Sequence, residues 1–309
     1  MAAQEKWLVS VPVATLWTTS NSSREIDREA VGNPVDLDSW LAKLSYESRL
    51  ELCDANLVQS QILYGEEVIL LEEKEDWVHV IVPDQSSSKN VRGYPGWIPK
   101  PQLIQHTDWK LHNSKVAIVQ KKKAQLCSDA LKPELVLSYQ TMLPVISEDA
   151  EWIQVQTPSG EGRLKAEDVS VYESAKSIPK GSGKSIVAAG EQFLGLAYLW
   201  GGMSSYGYDC SGFSYSMCKA NGYIIPRDAY DQAESGNPVE IDAIEPGDLL
   251  FFAYEEGKGK LHHVGIYYGD EKLLHSPNTG KTIEMIDLKD TIYEKELCAA
   301  RRYWQETGE

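Results

Sequence analysis

The chain has 309 residues, and 30 Lys+Arg against 46 Asp+Glu give it a formal net charge of −16. At roughly 100–200 residues per domain this length predicts two or three folded units, and 42% hydrophobic with 25% charged residues supplies packed cores, which excludes a disordered tail. The acidic surplus repels phosphate backbones and anionic lipid faces, and no basic stripe offsets it, so neither nucleic acid nor a membrane surface is expected as a partner.

The first segment, Met1–Val13, carries Glu5, Lys6 and Pro12 where a secretory leader needs an apolar stretch. No run of about 18 apolar residues is long enough to span a bilayer, so the expected compartment is the cytoplasm. Strand-like segments follow at Val68–Leu71, Trp77–Val82 and Trp97–Pro99, separated by Gly65, Pro83 and the turn-rich Gly93–Gly96. Upstream of these strands, Asp36–Gln59 interrupts the unit with a helical period at Leu37, Trp40, Leu41 and Leu44, which predicts a helical insertion in an otherwise all-β unit.

A weak internal repeat runs through this region. Leu63-Tyr64-Gly65-Glu66-Glu67-Val68, Asp76-Trp77-Val78-His79-Val80 and Gly96-Trp97-Ile98 match Met142-Leu143-Pro144-Val145, Glu151-Trp152-Ile153-Gln154-Val155 and Gly162-Arg163-Leu164. Two small barrels of similar build are expected, with Trp77 and Trp152 in their cores. Lys121-Lys122-Lys123 reads as a solvated basic turn or strand.

Ser174–Ser185, rich in small, Gly and basic residues, reads as a linker. Beyond it, Ser185–Leu199 carries Ile186, Ala189, Phe193 and Leu196 at helical spacing, and Ser211–Ala220 repeats the pattern before Asn221-Gly222 stops it. Strands are expected at Asp248–Tyr254, His263–Tyr268, Lys272–His275 and Leu297–Tyr303, with Asp248 capping the turn before the first. Helices first and antiparallel strands second predict an α+β domain.

The five cysteines, Cys53, Cys127, Cys210, Cys218 and Cys298, are odd in number and contain no C-x-x-C pair, so a disulfide framework or structural zinc is not expected. Four of them read as structural side chains. Cys210 differs, because Asp209-Cys210-Ser211-Gly212-Phe213 places it where a loop turns into a helix. The free N–H groups and partial positive charge there favour a thiolate, and the same amides, with the Tyr198 phenol, can hold an oxyanion. His263, 53 residues downstream, is the candidate base, and His275, 12 further on, the candidate orienting group. Strand alternation turns the neighbouring His262 to the opposite face. A metal site built from Cys210 and these histidines is disfavoured, since no short-spaced ligand pair accompanies them.

Tyr198-Leu199-Trp200-Gly201-Gly202, Asp209 to Phe213, Arg227-Asp228 with Gln232, Pro246 to Phe252, His263-Val264-Gly265-Ile266-Tyr267 and His275 occur in an order that resembles the NlpC/P60 cysteine peptidases over about residues 185–304. The upstream barrels resemble bacterial SH3-like domains, and the whole resembles γ-D-glutamyl-L-diamino acid endopeptidases. The resemblance implies a papain-like α+β fold preceded by two all-β SH3-like barrels: residues 1–105 with the helical insertion and capping the active site, 106–173, a linker 174–184, and a catalytic domain 185–309. It implies Cys210 as nucleophile, His263 as base and His275 as orienter, with Tyr198, Asp209, Ser211, Asp228 and, from the first barrel, Tyr94 lining the substrate groove. The implied reaction cuts between D-isoglutamate and meso-diaminopimelate or lysine. The implied partner is a murein tripeptide or longer stem with a free N-terminal L-Ala, and neither cofactor nor metal is required. Two departures from the family pattern stand out: Ala229 replaces a serine after Asp228, and Gln59 stands where an acidic residue precedes the Leu63-Tyr64-Gly65-Glu66 run. A wall-binding module without catalysis, or an amidase cutting another bond, are the alternative readings.

Overall fold

The structure, a computed structural model, describes residues 6–305 apart from 110, 112 and 113. It divides into two compact units: one holds the chain up to Pro83, Pro95–Ile178 and Ser204–Tyr206, the other Asp84–Tyr94, Pro179–Met203 and Gly207 onward. The first barrel's Asp84–Tyr94 connection is thus counted with the catalytic unit.

In the first unit, β1 (Lys6–Val9), β2 (Val13–Trp17), β3 (Val58–Leu63), β4 (Glu67–Lys74), β5 (Trp77–Val82), β6 (Tyr94–Pro99) and β7 (Leu103–His106) form one sheet in the order β3-β2-β6-β5-β4-β1-β7. The next seven are β8 (Val116–Val119), β9 (Lys123–Cys127), β10 (Pro133–Ser138), β11 (Met142–Glu148), β12 (Trp152–Thr157), β13 (Gly160–Lys165) and β14 (Val169–Tyr172). Their order is β10-β9-β13-β12-β11-β8-β14, the first sheet's order carried forward strand for strand. The repeat extends to an irregularity. The β4–β5 ladder shifts between Leu70 and Glu72 beside Val80, and the β11–β12 ladder shifts between Val145 and Ser147 beside Val155. This bulge aligns Leu70, not Val68, with Val145.

The repeated tryptophans are not core. On β5 and β12 the inward positions are Val78, Val80, Ile153 and Val155, all buried, so strand alternation turns Trp77 and Trp152 to the other face, where both are half-buried. Trp77 meets Trp17 edge-on with ring centroids 6.4 Å apart. The predicted insertion forms as α1 (Arg28–Val31), α2 (Leu37–Lys43) and α3 (Tyr46–Asp54). Asp36 and Ser45 cap α2 and α3 by accepting the Ser39 and Ser48 amides, and buried Asp27 accepts Arg24 Nε and Trp40 Nε1, each at 2.8 Å. Of the basic run, Lys121 is exposed, whereas Lys123 pairs with Asp38 at 3.0 Å and lies 3.7 Å over the Tyr206 ring.

In the second unit, helix α4 (Gly183–Glu191) begins inside the expected linker. Ser182 accepts the Ser185 amide as its cap, and Gly183 is packed so tightly that a Cβ would strike the Pro246 carbonyl. The helix also ends eight residues before Leu199. Gly195 takes φ +83° and gives its N–H to Ile283 O, and Tyr198 gives its N–H to Lys281 O, so the chain leaves the helix to pair with residues 281–283. Helix α5 (Cys210–Ala220) lies against α4 and the central sheet, followed by α6 (Ala229–Glu234). Strands β15 (Asn237–Val239), β16 (Leu249–Ala253), β17 (Leu261–Gly269), β18 (Lys272–His275), β19 (Glu284–Asp287) and β20 (Leu297–Arg302) form a sheet ordered β15-β20-β16-β17-β18-β19; a short helix, α7 (Ile292–Glu296), precedes β20. The all-apolar β16 is buried throughout. Asp248 before it caps its turn by accepting the Glu245 amide and also holds Arg302 and Trp304 Nε1.

Candidate active site

Cys210 is the first residue of α5, whose N-cap is Asp209. The Asp209 carboxylate accepts the Gly212 amide at 2.7 Å and the Gly201 amide at 3.0 Å, so one side chain fixes both the helix start and the Trp200-Gly201-Gly202 loop. It is also gripped by Arg227 through two contacts, 3.1 and 2.7 Å, in a planar fork typical of guanidinium–carboxylate pairing. Both partners are buried. Arg227 and Asp209 share the Ser211 hydroxyl, and Gln232 of α6 donates to the Ser211 carbonyl at 3.1 Å. The glycines at 202 and 212 are required by contact, because a Cβ on Gly212 would clash with the Gly202 carbonyl.

The Cys210 thiol receives backbone N–H groups from Ser211, on its own helix, and from Val264, on β17. The Val264 contact brings the sulfur beside His263, its chain neighbour. These amides and Arg227 favour the thiolate, yet burial and the Asp209 charge outweigh them and push the thiol up to about 12. The sequence argument from the helix terminus expects a lowered value; here desolvation wins. His263, enclosed and flanked by His275 and His262, is held well below the ordinary imidazole value by burial first and its neighbours second. Burial thus opposes a charge on either group and favours the neutral thiol–imidazole pair.

His263 Nε2 lies 2.8 Å from His275 Nδ1. Burial pushes His275 down to about 4, so it too is neutral. Phe252, the cross-strand partner of His263, packs at 5.7 Å between ring centroids, and Tyr293 of α7 covers the pair at 5.3 Å from His263 and 4.9 Å, edge-on, from His275. His262 points elsewhere, to Glu296 at 2.9 Å and to a stack on Tyr254.

A second cluster forms around Asp228, which occupies the N-cap of α6 but makes no side-chain cap bond. Its two oxygens instead lie 3.0 Å each from the Tyr94 hydroxyl, and Lys89 Nζ reaches Oδ2 at 3.1 Å. Lys89 also hydrogen-bonds the Tyr94 hydroxyl. Tyr94 is buried, and burial with the Asp228 charge raises its phenol pKa. The segment is held by Arg227 N–H to Ser86 O at 3.0 Å, Ser88 N–H to Asp231 at 2.9 Å and Tyr215 Oη to Asp84 O at 2.7 Å.

The structure thus sets the Cys210 sulfur against the Val264 amide, next in chain to His263, joins His263 to His275, and gathers Asp228 with Tyr94. Asp209 and the Ser211 hydroxyl face Arg227 and one another. Tyr198 is buried, bridged to Tyr208. Gln59 donates its amide to Thr18 Oγ1 and Asn56 Oδ1 within the first barrel. Sequence reasoning left Arg227 without a role, although Arg227-Asp228 was in view, and passed over Tyr293 and Lys89, which no motif marks.

Two family matches agree with this architecture: NlpC/P60 over residues 195–302 and the YKFC SH3b2 domain over 119–172. The chain is 47% identical over 294 residues to the γ-D-glutamyl-L-lysine dipeptidyl-peptidase of Bacillus subtilis (strain 168), covering 95% of this chain and 97% of that one. It is 38% identical to the protein of the same name from Bacillus cereus (strain ATCC 10987), covering 96% and 91%. A crystal structure of an NlpC/P60 family protein from Bacillus cereus ATCC 10987 superposes with TM-score 0.92 at 38% identity, over 98% of this chain and 100% of that one. With near full-length relatives at these identities, the chain belongs to the NlpC/P60 family of cysteine peptidases.

Proposed function

We propose that this peptidase hydrolyses the bond between γ-D-glutamate and the diamino acid, meso-diaminopimelate or lysine, of murein peptides whose N-terminal L-Ala amine is free. The relatives' shared name supports the bond, and the observation that carries the end-group preference is the Asp228–Tyr94 pair. Asp228 keeps its carboxylate off the helix it caps and 29% exposed, already holding one ammonium, that of Lys89. An α-amine offers the same chemistry to that carboxylate. Ala229, lacking a hydroxyl, leaves this recognition to Asp228 and Tyr94.

In this mechanism the Cys210 proton passes to His263 Nδ1 as sulfur attacks the glutamyl side-chain carbonyl. Backbone amides at the start of α5, with Tyr198, stabilise the oxyanion. His263 then gives its proton to the departing diamino-acid amine, leaving a thioester, and afterwards removes a proton from the water that releases L-Ala-D-Glu. His275 holds the His263 tautomer throughout. No residue requires a cofactor. We assign the barrels as SH3-like domains over 1–105 and 106–173, and place the activity in cytoplasmic recycling of wall peptides. Among the described residues no helix is long and apolar enough to cross a membrane.

The test is incubation with L-Ala-γ-D-Glu-meso-diaminopimelate in free-amine and N-acetylated forms, with products identified by mass. Release of L-Ala-D-Glu from the free-amine form alone is expected. Cleavage of both forms removes the amine role of Asp228 and Tyr94, and cleavage of neither removes the substrate.

A further inference from the structure

The tautomer chain behind Cys210 has one end without a partner; the inference from it rests on the catalytic roles proposed above. For His263 to receive a proton at Nδ1, its own proton must sit on Nε2, and the 2.8 Å contact then makes His275 Nδ1 the acceptor. A neutral His275 consequently carries its proton on Nε2. That nitrogen is enclosed and has no hydrogen-bond partner among the described residues, in a ring with no solvent exposure. Glu284 Oε1 lies 3.7 Å from it, beyond hydrogen-bond length.

The approach follows from the fold. His275 and Glu284 are directly opposed in the antiparallel β18–β19 ladder, so their side chains leave the sheet on the same face. β19 is the edge strand, and the Glu284 side chain is 38% exposed, free to change rotamer and close the gap without moving the backbone. Among the described residues the rings packed on His275 offer no substitute acceptor: His263 on β17 is engaged with the His275 Nδ1, and Tyr293 on α7 presents ring to ring.

We propose that Glu284 is a positioning residue for the reaction: its carboxylate accepts the His275 Nε2–H as His263 becomes protonated, fixing the His275 tautomer and offsetting the charge on His263. One proton moves, from Cys210 Sγ to His263 Nδ1. The two Nε2 protons stay in place, and Glu284 remains a carboxylate.

The test compares the full-length parent with Glu284→Ala and Glu284→Gln. It measures kcat and KM on the free-amine tripeptide, and the pH dependence of iodoacetamide alkylation at Cys210, located by peptide mass mapping. For Glu284→Ala we expect kcat about tenfold lower, KM within about twofold, and an alkylation midpoint moved to higher pH, because the thiolate–imidazolium pair has lost its counter-charge. Glu284→Gln, whose amide oxygen accepts the same hydrogen bond, should recover most of kcat. The proposal is overturned if Glu284→Ala leaves kcat and the alkylation profile as in the parent, or if both variants lower kcat equally with the midpoint unmoved. Alkylation reads the thiol without substrate, so a parent that alkylates normally yet leaves the tripeptide uncut refutes the substrate and not the role of Glu284.

Discussion

The two barrels share one strand order and one bulge position, and they differ in what joins the strands. Between β12 and β13 the second barrel has only Pro158 and Ser159, whereas the corresponding connection in the first runs from Pro83 to Gly93 and carries Lys89 up to Tyr94. Between β2 and β3 the first barrel holds three helices, while the second joins β9 to β10 through Ser128–Lys132. The scaffold is thus held constant and chemistry enters through connections, the general division of labour between framework and loop.

The largest effect sets the floor for this comparison. Cys210→Ala should lower turnover of the tripeptide by more than about a thousandfold, with a melting temperature like that of the parent, since the side chain is only half-buried. Replacing residues 84–93 with a two-residue turn copied from the second barrel should cost about a hundredfold in kcat/KM on free-amine peptide, through loss of the Tyr94–Asp228 pair and the Ser86 anchor on Arg227. The reciprocal change, a ten-residue Gly-Ser loop in place of Pro158-Ser159, should leave kcat/KM within about twofold. Equal losses from both loop changes would break the distinction between the barrels.

Acid sharpens it at a smaller scale. Burial holds His275 at about 4 in the folded state against an ordinary 6.5, so the unfolded chain takes up the proton first as pH falls. Stability contributed by the neutral ring is complete above pH 6.5 and is lost between 6.5 and 4, by at most about 3 kcal/mol. The strands of the second barrel and their connections, residues 116–172, contain no histidine. Melting followed from pH 7 to 4 should therefore show the catalytic unit drifting down while this barrel holds, and His275→Asn should flatten part of that drift. The smallest effect is Lys121→Ala, on an exposed second-barrel side chain, expected within about 0.5 kcal/mol in stability and without change in turnover.

What the sequence disclosed follows physical range. Trp77–Val82 and Lys272–His275 were legible to the residue, because alternation is local. The helix from Ser185 was overextended, since what ends it is pairing with residues 281–283, far along the chain. Trp77 and Trp152 were legible as a repeat but not by face, which only the ladder register decides. Cys210, His263 and His275 stood out because catalytic types in order leave a trace in one dimension. Glu284 and Tyr293 left none, as their relevance lies in a cross-strand opposition and a ring contact. The thiol's state was also beyond reach, since desolvation depends on everything packed around it.

Asp209 gathers Gly201, Ser211, Gly212 and Arg227 onto one carboxylate. These donors span residues 201–227, so the loop before the helix, the helix start and the segment leading into Asp228 are all tied to that one side chain. One side chain therefore couples the seat of the nucleophile to the segment that carries the amine-facing carboxylate, so a change at Asp209 is felt by both ends of the groove at once.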